Sequence, residues 1–286
     1  EEEGKEVYHR RDWGLMEVDS VGRNKPPFAR TLLCHGTIPA NLRIRDDEAV
    51  GRNWVIKRWP EKTTRRRIDV EVHERIKANP HENLVRIIDL SSSDGVLMEY
   101  WNGGDLQRYM ATARRKFMPV KAILRLACQL LRAIRHLHQI KIVHSDVSPQ
   151  NVFIRHIKGE LDSDGEEAES KLACALGDFG HSYILSQHQE SRSSIASHGT
   201  SFVAPEVEGG SVSSMASDVF SAGKLLGELL NLSSGFKELF SKEPRAMVRH
   251  LKSLFMRMSQ ETPGLRPNST EACKQLEKLL HTLGDP

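Results

Sequence analysis

Residues 144 to 151 read His-Ser-Asp-Val-Ser-Pro-Gln-Asn, and Asp178-Phe179-Gly180 begins 27 residues after Asn151. Two carboxylates and an amide at this spacing suit one kind of chemistry. A hydroxyl that attacks phosphorus needs an acceptor for its proton, and a phosphate chain needs its charge neutralised by a hard cation on oxygen ligands. Asp146, with Asn151 five positions further along one tight loop, can serve both needs. The carboxylate faces the nucleophile, and the amide oxygen ligates metal. Asp178, on a separate loop, supplies the carboxylate that bridges Mg²⁺ to phosphate. Each motif alone is short enough to arise by chance; their order and spacing carry the signal.

The elements that must hold these residues fall into two segregated regions. From Thr31 to about Glu99, short apolar runs are split by polar turns. Val55-Ile56, Leu84 to Leu90 and Val96-Leu97-Met98 read as strands, with one helical stretch near 64–78. After Asp105 helical periodicity dominates. The segment 119–139 carries Ile123, Leu126, Leu130, Ile134 and Leu137 at helical spacing. The segment 217–231 is apolar nearly all round and reads as a buried central helix, and 270–283 forms a last helix. Strands first and helices later make the fold class α+β. Between strand-like Val152-Phe153-Ile154 and Leu172 to Leu176, the acidic stretch 159–167 reads as a surface insertion. Residues 1–27 are polar and mixed in charge and read as an N-terminal extension ahead of a domain at 28–286.

Taken together, these motifs resemble the eukaryotic protein kinase family. Trp54-Val55-Ile56-Lys57, Gly199 to Glu206 (Gly-Thr-Ser-Phe-Val-Ala-Pro-Glu), Asp218-Val219-Phe220-Ser221-Ala222-Gly223 and Arg266-Pro267 match family positions in order. The resemblance implies a two-lobed fold. It has a small, mostly antiparallel β N-lobe with one helix (28–98), a hinge (99–104) and a larger, mainly helical C-lobe (105–286). It implies ATP and Mg²⁺ as cofactors and a protein substrate with a Ser or Thr acceptor. Lys57 would grip the phosphates, Met98 would be the gatekeeper, and the backbones of Glu99 and Trp101 would meet adenine. His144 would pack under Phe179, Thr200 would sit beside Asp146, and Arg266 would pair with Glu206.

The acidic partner of Lys57 follows from helical geometry. The stripe Ile68, Val72, Ile76 sets the buried face of the 64–78 helix; Glu71 flanks it and Glu74 lies almost opposite. Glu71 can therefore reach inward.

Four departures from the family pattern bear on function. The phosphate-covering loop aligns with Cys34-His35-Gly36-Thr37-Ile38-Pro39, where only Gly36 survives of three glycines. Val55 replaces the small residue above adenine, Ser145 the Arg that receives an activation-loop phosphate, and Ser148 the Lys that steadies the γ-phosphate. Two readings follow. One is an active Ser/Thr kinase with Lys57, Glu71, Asp146, Asn151 and Asp178 all present. The other is a pseudokinase that docks partners and turns over little or no ATP.

Composition narrows the remainder. A net charge of +3 in 286 residues does not point to nucleic acid or membrane as a partner. Cys34, Cys128, Cys174 and Cys273 are scattered, without a CxxC pair, which fits a reducing cytoplasmic or nuclear compartment. No apolar run reaches the roughly 18 residues of a membrane span. The chain does not open on Met and reads as a segment of a longer protein.

Overall fold

A computed structural model describes residues 16–20, 31–35, 53–58, 64–90, 95–113, 117–157, 171–185 and 201–282. The chain divides into two units, Glu1–Pro80 with Val85–Tyr100, and His81–Leu84 with Trp101–Pro286. The first is built on a sheet and the second on helices, which is the α+β organisation that the sequence predicts.

In the sheet unit, β1 (Met16–Ser20), β2 (Thr31–His35), β3 (Asn53–Arg58), β5 (Gly95–Glu99) and β4 (Ile87–Asp89) lie side by side in that order, all antiparallel. The short apolar runs become strands because their β-branched residues fit a pleated, covered surface. Register then sets the faces. Val55 lies opposite Met98 and Lys57 opposite Val96, so Val55, Lys57 and Met98 share one face, while Ile56 and Leu97 share the other. The helix α1 (Thr64–Ala78) packs on β4, burying Ile68, Val72 and Ile76 as the stripe requires. Lys77 Nζ reaches Asp89 Oδ1 at 3.3 Å, tying the helix to that strand.

Three features differ from the sequence reading. Strand β1 falls inside residues 1–27 and is paired to β2. Cys34 and His35, read as part of a phosphate-covering turn, are strand residues of β2, each matched to β1 on one side and β3 on the other; Gly36 lies outside the described residues. The strand expected over 84–90 is confined to Ile87–Asp89, where an irregular register interrupts the ladder, and Leu84 forms an isolated bridge to Leu176 instead. Beside the apolar stripe of α1, Asp69 and His73 are buried as well, and the His73 ring donates from Nδ1 to the Asp69 carbonyl at 2.6 Å.

The helical unit contains α2 (Leu106–Ala113), α3 (Val120–Gln139), α4 (Pro205–Glu208), α5 (Met215–Ser234), α6 (Lys237–Phe240), α7 (Arg245–Met258) and α8 (Ser269–His281). Two short sheets accompany them, β6 (Ile142–Val143) with β9 (Tyr183–Ile184), and β7 (Val152–Ile157) with β8 (Lys171–Leu176). Capping boxes start the two helices that frame the core, Ser214 with Ser217 at α5 and Asn268 with Glu271 at α8. α3 is buried along Ile123, Leu126, Leu130, Ile134 and Leu137 against α5, α8 and β8. On its outer flank Arg132 and Arg135 both reach Glu277 of α8, at 2.9 and 3.3 Å. The thiols of Cys128, Cys174 and Cys273 are buried, which pushes each up to about 12 and leaves it protonated at neutral pH. The acidic stretch 159–167 lies outside the described residues.

The close approach of α5 to α7 turns on Gly223. A Cβ there would stand 2.7 Å from both Met258 Cβ and Ser259 Oγ, whereas one at Gly227, a turn further along the same helix, would meet nothing within 4 Å. Both changes to Ala gain the same helix propensity, so the difference isolates packing. Gly227→Ala is expected to stabilise by about 0.5–1 kcal/mol and Gly223→Ala to destabilise by about 1–3 kcal/mol, measured by urea unfolding.

Candidate active site

The loop from His144 to Asn151 joins β6 to β7 and hangs on one carboxylate. Asp218, in the first turn of α5, accepts the backbone N–H of His144 at Oδ2 (2.8 Å) and that of Ser145 at Oδ1 (2.9 Å). His138, on α3, donates from Nε2 to the same Oδ2 at 3.0 Å, and its Nδ1 then accepts from the Ser269 hydroxyl at 2.9 Å. Asp218 is only 1% exposed, and its place at a helix N-terminus suits a negative charge.

His144 is itself engaged at both nitrogens. Nε2 donates to the Gly177 carbonyl at 3.0 Å, which leaves Nδ1 to accept the Asp146 N–H at 3.3 Å. Its buried ring meets the edge of Phe179 with centroids 5.7 Å apart. This is the packing that the sequence expectation assigned to it.

Asn151 donates through Nδ2 to the Asp146 carbonyl (2.7 Å) and to Asp146 Oδ2 (2.9 Å). Both amide hydrogens are thus directed at Asp146, and Oδ1 is left as a hard oxygen donor. The register of the β7–β8 hairpin does the rest. Val152 lies opposite Leu176, and the Gly177 N–H extends the ladder to the Asn151 carbonyl at 2.9 Å. Antiparallel pairing therefore brings the residue before β7 alongside the residues after β8, so Asn151 and Asp178 stand at the same end. Asp178 is held in a left-handed conformation (φ 57°, ψ 74°), its Oδ1 accepting the Gly180 N–H at 3.2 Å. Ser145 is also left-handed, at φ 68°. Each costs roughly 1–2 kcal/mol for a residue with a Cβ, so the surrounding hydrogen bonds must hold the loop in place.

The donor set Asn151 Oδ1 and Asp178 carboxylate fits Mg²⁺, which takes one or two protein oxygens and fills its shell with phosphate and water. Among the described residues no group of three or more His, Cys, Asp or Glu is arranged as a self-sufficient metal cage. Ser148 is buried in the loop, and the Ser145 hydroxyl is buried with no hydrogen-bond partner among the described residues.

The remaining predicted site residues divide between the units. In the sheet unit, Lys57, Val55 and Met98 share one face, and the Glu99 N–H bonds the Arg86 carbonyl at 3.0 Å. Glu71 is half-buried on the flank of the α1 stripe while Glu74 is exposed, and Arg67 approaches Glu71 at 3.6 Å. In the helical unit, Trp101 is 7% exposed under the Arg155 guanidinium, which lies 4.4 Å from the ring centroid. The chain after it turns against β7 through an isolated bridge of Asp105 to Phe153, with Gly103 N–H to Ile154 O at 2.9 Å and Ile154 N–H to Gly104 O at 2.8 Å. Gly36 and Thr200 lie outside the described residues.

His138 is a positioning residue that the motifs in the sequence do not single out. The available signal was Asp218 itself, an acid near the start of an otherwise apolar helix, which must find buried donors.

Arg266 closes the end of the segment before α5. Nη1 and Nη2 grip Glu206 at 2.6 and 2.7 Å, and the remaining N–H groups donate to the carbonyls of Ala216, Gln260 and Glu261 at 3.1, 2.7 and 2.9 Å. All five donors are used, over the Phe220 ring at 4.8 Å. Burial would raise the Glu206 carboxyl, but the Arg266 hydrogen bond, a backbone hydrogen bond and the guanidinium charge outweigh it and leave it below the ordinary 4.5. A lowered carboxylate stabilises the fold above its unfolded value, and that contribution is lost as pH falls through the folded value. Arg266→Met is expected to cost about 3–5 kcal/mol near neutral pH. In urea unfolding the gap from wild type should stay constant above pH 4.5 and shrink below it.

Comparison with known proteins agrees with this geometry. The family model for the protein kinase domain matches residues 43–283. The chain is 30% identical over 171 residues to the serine/threonine-protein kinase nekl-2 of Caenorhabditis elegans, covering 56% of this chain and 44% of that protein. It is 27% identical over 207 residues to the serine/threonine-protein kinase Nek3 of Mus musculus, covering 66% and 37%. The mouse tyrosine-protein kinase Srms matches at 30% over 159 residues, covering 54% and 29%. The chain spans half or less of the length of these relatives. With the Asp146–Asn151–Asp178 grouping, the Asp218 anchor and the Arg266–Glu206 pair in place across the matched span, this chain belongs to the protein kinase family.

Proposed function

We propose that the chain is an active protein serine/threonine kinase that transfers the γ-phosphoryl group of ATP to a Ser or Thr hydroxyl of a protein substrate. The observation that carries this reading is the Asn151 side chain, whose two hydrogens are directed at Asp146 so that its oxygen is left for a cation. A residue kept only for packing has no need of that orientation.

In this reading Lys57, held by Glu71, grips the α- and β-phosphates. Val55 and Met98 line the adenine site, Glu99 and Trp101 meet adenine through their backbones, and Gly36 belongs to the covering loop. Asn151 and Asp178 hold Mg²⁺, which neutralises charge on the phosphates when bound. Asp146 orients the substrate hydroxyl. As that oxygen bonds to the γ-phosphorus, the bond from the γ-phosphorus to the bridging oxygen breaks, ADP leaves, and the hydroxyl proton passes to the Asp146 carboxylate. Thr200 supports Ser/Thr over Tyr acceptors, as do the Nek-type relatives; Srms leaves tyrosine as the competing acceptor. The three buried thiols and the lack, among the described residues, of a helix able to cross a membrane support action in the cytoplasm or nucleus.

A second reading, a docking module with little or no turnover, rests on Ser148, Val55 and the stretch around Gly36. Two measurements separate them. ATP with Mg²⁺ should raise the melting temperature, by a stabilisation of roughly 2.7 kcal/mol at a hundredfold excess over Kd. The shift should vanish without Mg²⁺ or in Lys57→Ala; no shift at millimolar ATP favours the docking module. Asp146→Asn should leave the melting temperature near wild type and lower turnover by about 10²–10⁴-fold, and full activity in that variant would remove Asp146 from its role. Because Ser145 replaces the phosphate-receiving Arg, phosphatase treatment should leave activity intact, and its complete loss would contradict that reading of Ser145.

A further inference from the structure

The helix α7, Arg-Ala-Met-Val-Arg-His-Leu-Lys-Ser-Leu-Phe-Met-Arg-Met, has no acidic residue in its 14 positions. Its inner face buries Met247, Leu251, Leu254, Phe255 and Met258, packed on α5 and α8. At 100° per residue, Arg245, Arg249, Lys252 and Met256 fall within about 60° of one another on the outer face. All four are exposed, Met256 by 60%, and none of the three cations makes an ion pair among the described residues.

Helix stability does not account for this row. Arg245 and Arg249 are four apart and Arg249 and Lys252 three apart, spacings at which like charges repel. Arg245 is also the first helical residue, where the helix dipole disfavours a cation. The charge is local. Residues 237–257 carry six Lys or Arg against two Glu, more imbalance than the +3 of all 286 residues. Lys237 and Lys242 are exposed at the same end, with Leu239 exposed by 45%.

We infer that the outer row of α7 docks an acidic segment of a partner protein. Its Asp or Glu carboxylates pair with Arg245, Arg249 and Lys252, and one of its apolar side chains covers Met256. The apolar residue decides between anions. A phosphate backbone offers nothing to a thioether at the C-terminal end of the row, and no exposed Phe, Tyr or Trp stands among the cations to stack on a base. A membrane surface calls for several large apolar side chains on one helix face, and α7 exposes only Met256 of that kind. A peptide that alternates carboxylates with an aliphatic residue matches both features, and Met adapts to varied apolar partners. This surface lies outside the phosphoryl-transfer residues and is independent of whether the chain turns over ATP.

The test uses the whole chain and a fluorescein-labelled peptide of Glu-Glu-Leu repeats, followed by anisotropy at two salt concentrations, with oligoglutamate, single-stranded RNA and vesicles containing phosphatidylserine as competitors. Wild type should bind the peptide, more weakly at the higher salt. The triple variant Arg245→Glu, Arg249→Glu, Lys252→Glu should lose at least about tenfold in affinity while keeping its melting temperature. Met256→Ser should weaken the Glu-Glu-Leu peptide but not oligoglutamate. Equal binding by wild type and triple variant, or no binding to wild type at low salt, overturns the inference. So does tighter binding of RNA or vesicles than of peptide, which would make the row a general polyanion surface.

Discussion

The site of this protein depends on one buried carboxylate. Asp218 gathers the N–H groups of two successive loop residues, and an imidazole from a third element completes its shell. A buried ion unpaired would be costly; one that accepts three donors becomes a rigid node. Because it sits at the start of α5, a helix of the buried core, the loop inherits the rigidity of that core. Ser145 can then be kept left-handed, and Asp146 projects from a backbone whose direction is fixed on both sides. The second half of the site has the same logic in another material: a β-hairpin register sets Asn151 against the chain that leads to Asp178.

What the sequence made legible were features with a local period or a fixed interval. The spacing of Asp146, Asn151 and Asp178 marked the loops that the fold brings together, and the residues 68, 72 and 76 oriented α1 without any neighbour being known. What it hid were polar side chains buried by tertiary contact. His138 sits on a helix whose period is apolar, and only the arrival of Asp218, 80 residues away, and of Ser269 gives it partners. Asp69 and His73 are similar, buried one position beside the stripe that declared the inward face. The short β4 and the strand positions of Cys34 and His35 reflect a further limit, since where a ladder stops or continues is set by the opposite strand. β1 was missed for that reason: Met16–Ser20 is short, carries two acids and becomes a strand through its pairing with β2.

In the proposed reading, two of the four departures from the family pattern, Ser145 and Ser148, fall where charge would meet phosphate rather than where the loop is held. Ser148 and Ser145 take the places of a Lys and an Arg, yet Asp218, His144 and Asn151 keep the backbone around them hydrogen-bonded. Framework and electrostatics are thus separable in this fold. The scaffold that positions Asp146 does not rely on the two cations, so their loss alters the field at the site without loosening its geometry.

The saturation of Arg266 has a consequence for signalling. An arginine can act as a receptor for a newly added phosphate only if it has an N–H to offer. Arg266 offers none, because its five donors are committed to one carboxylate and three carbonyls, and its side chain is fully enclosed. With serine at position 145 and the guanidinium of Arg266 sealed, the anchored end of this segment fixes a shape, and among the described residues neither of these two positions offers a contact through which a covalent mark could be read.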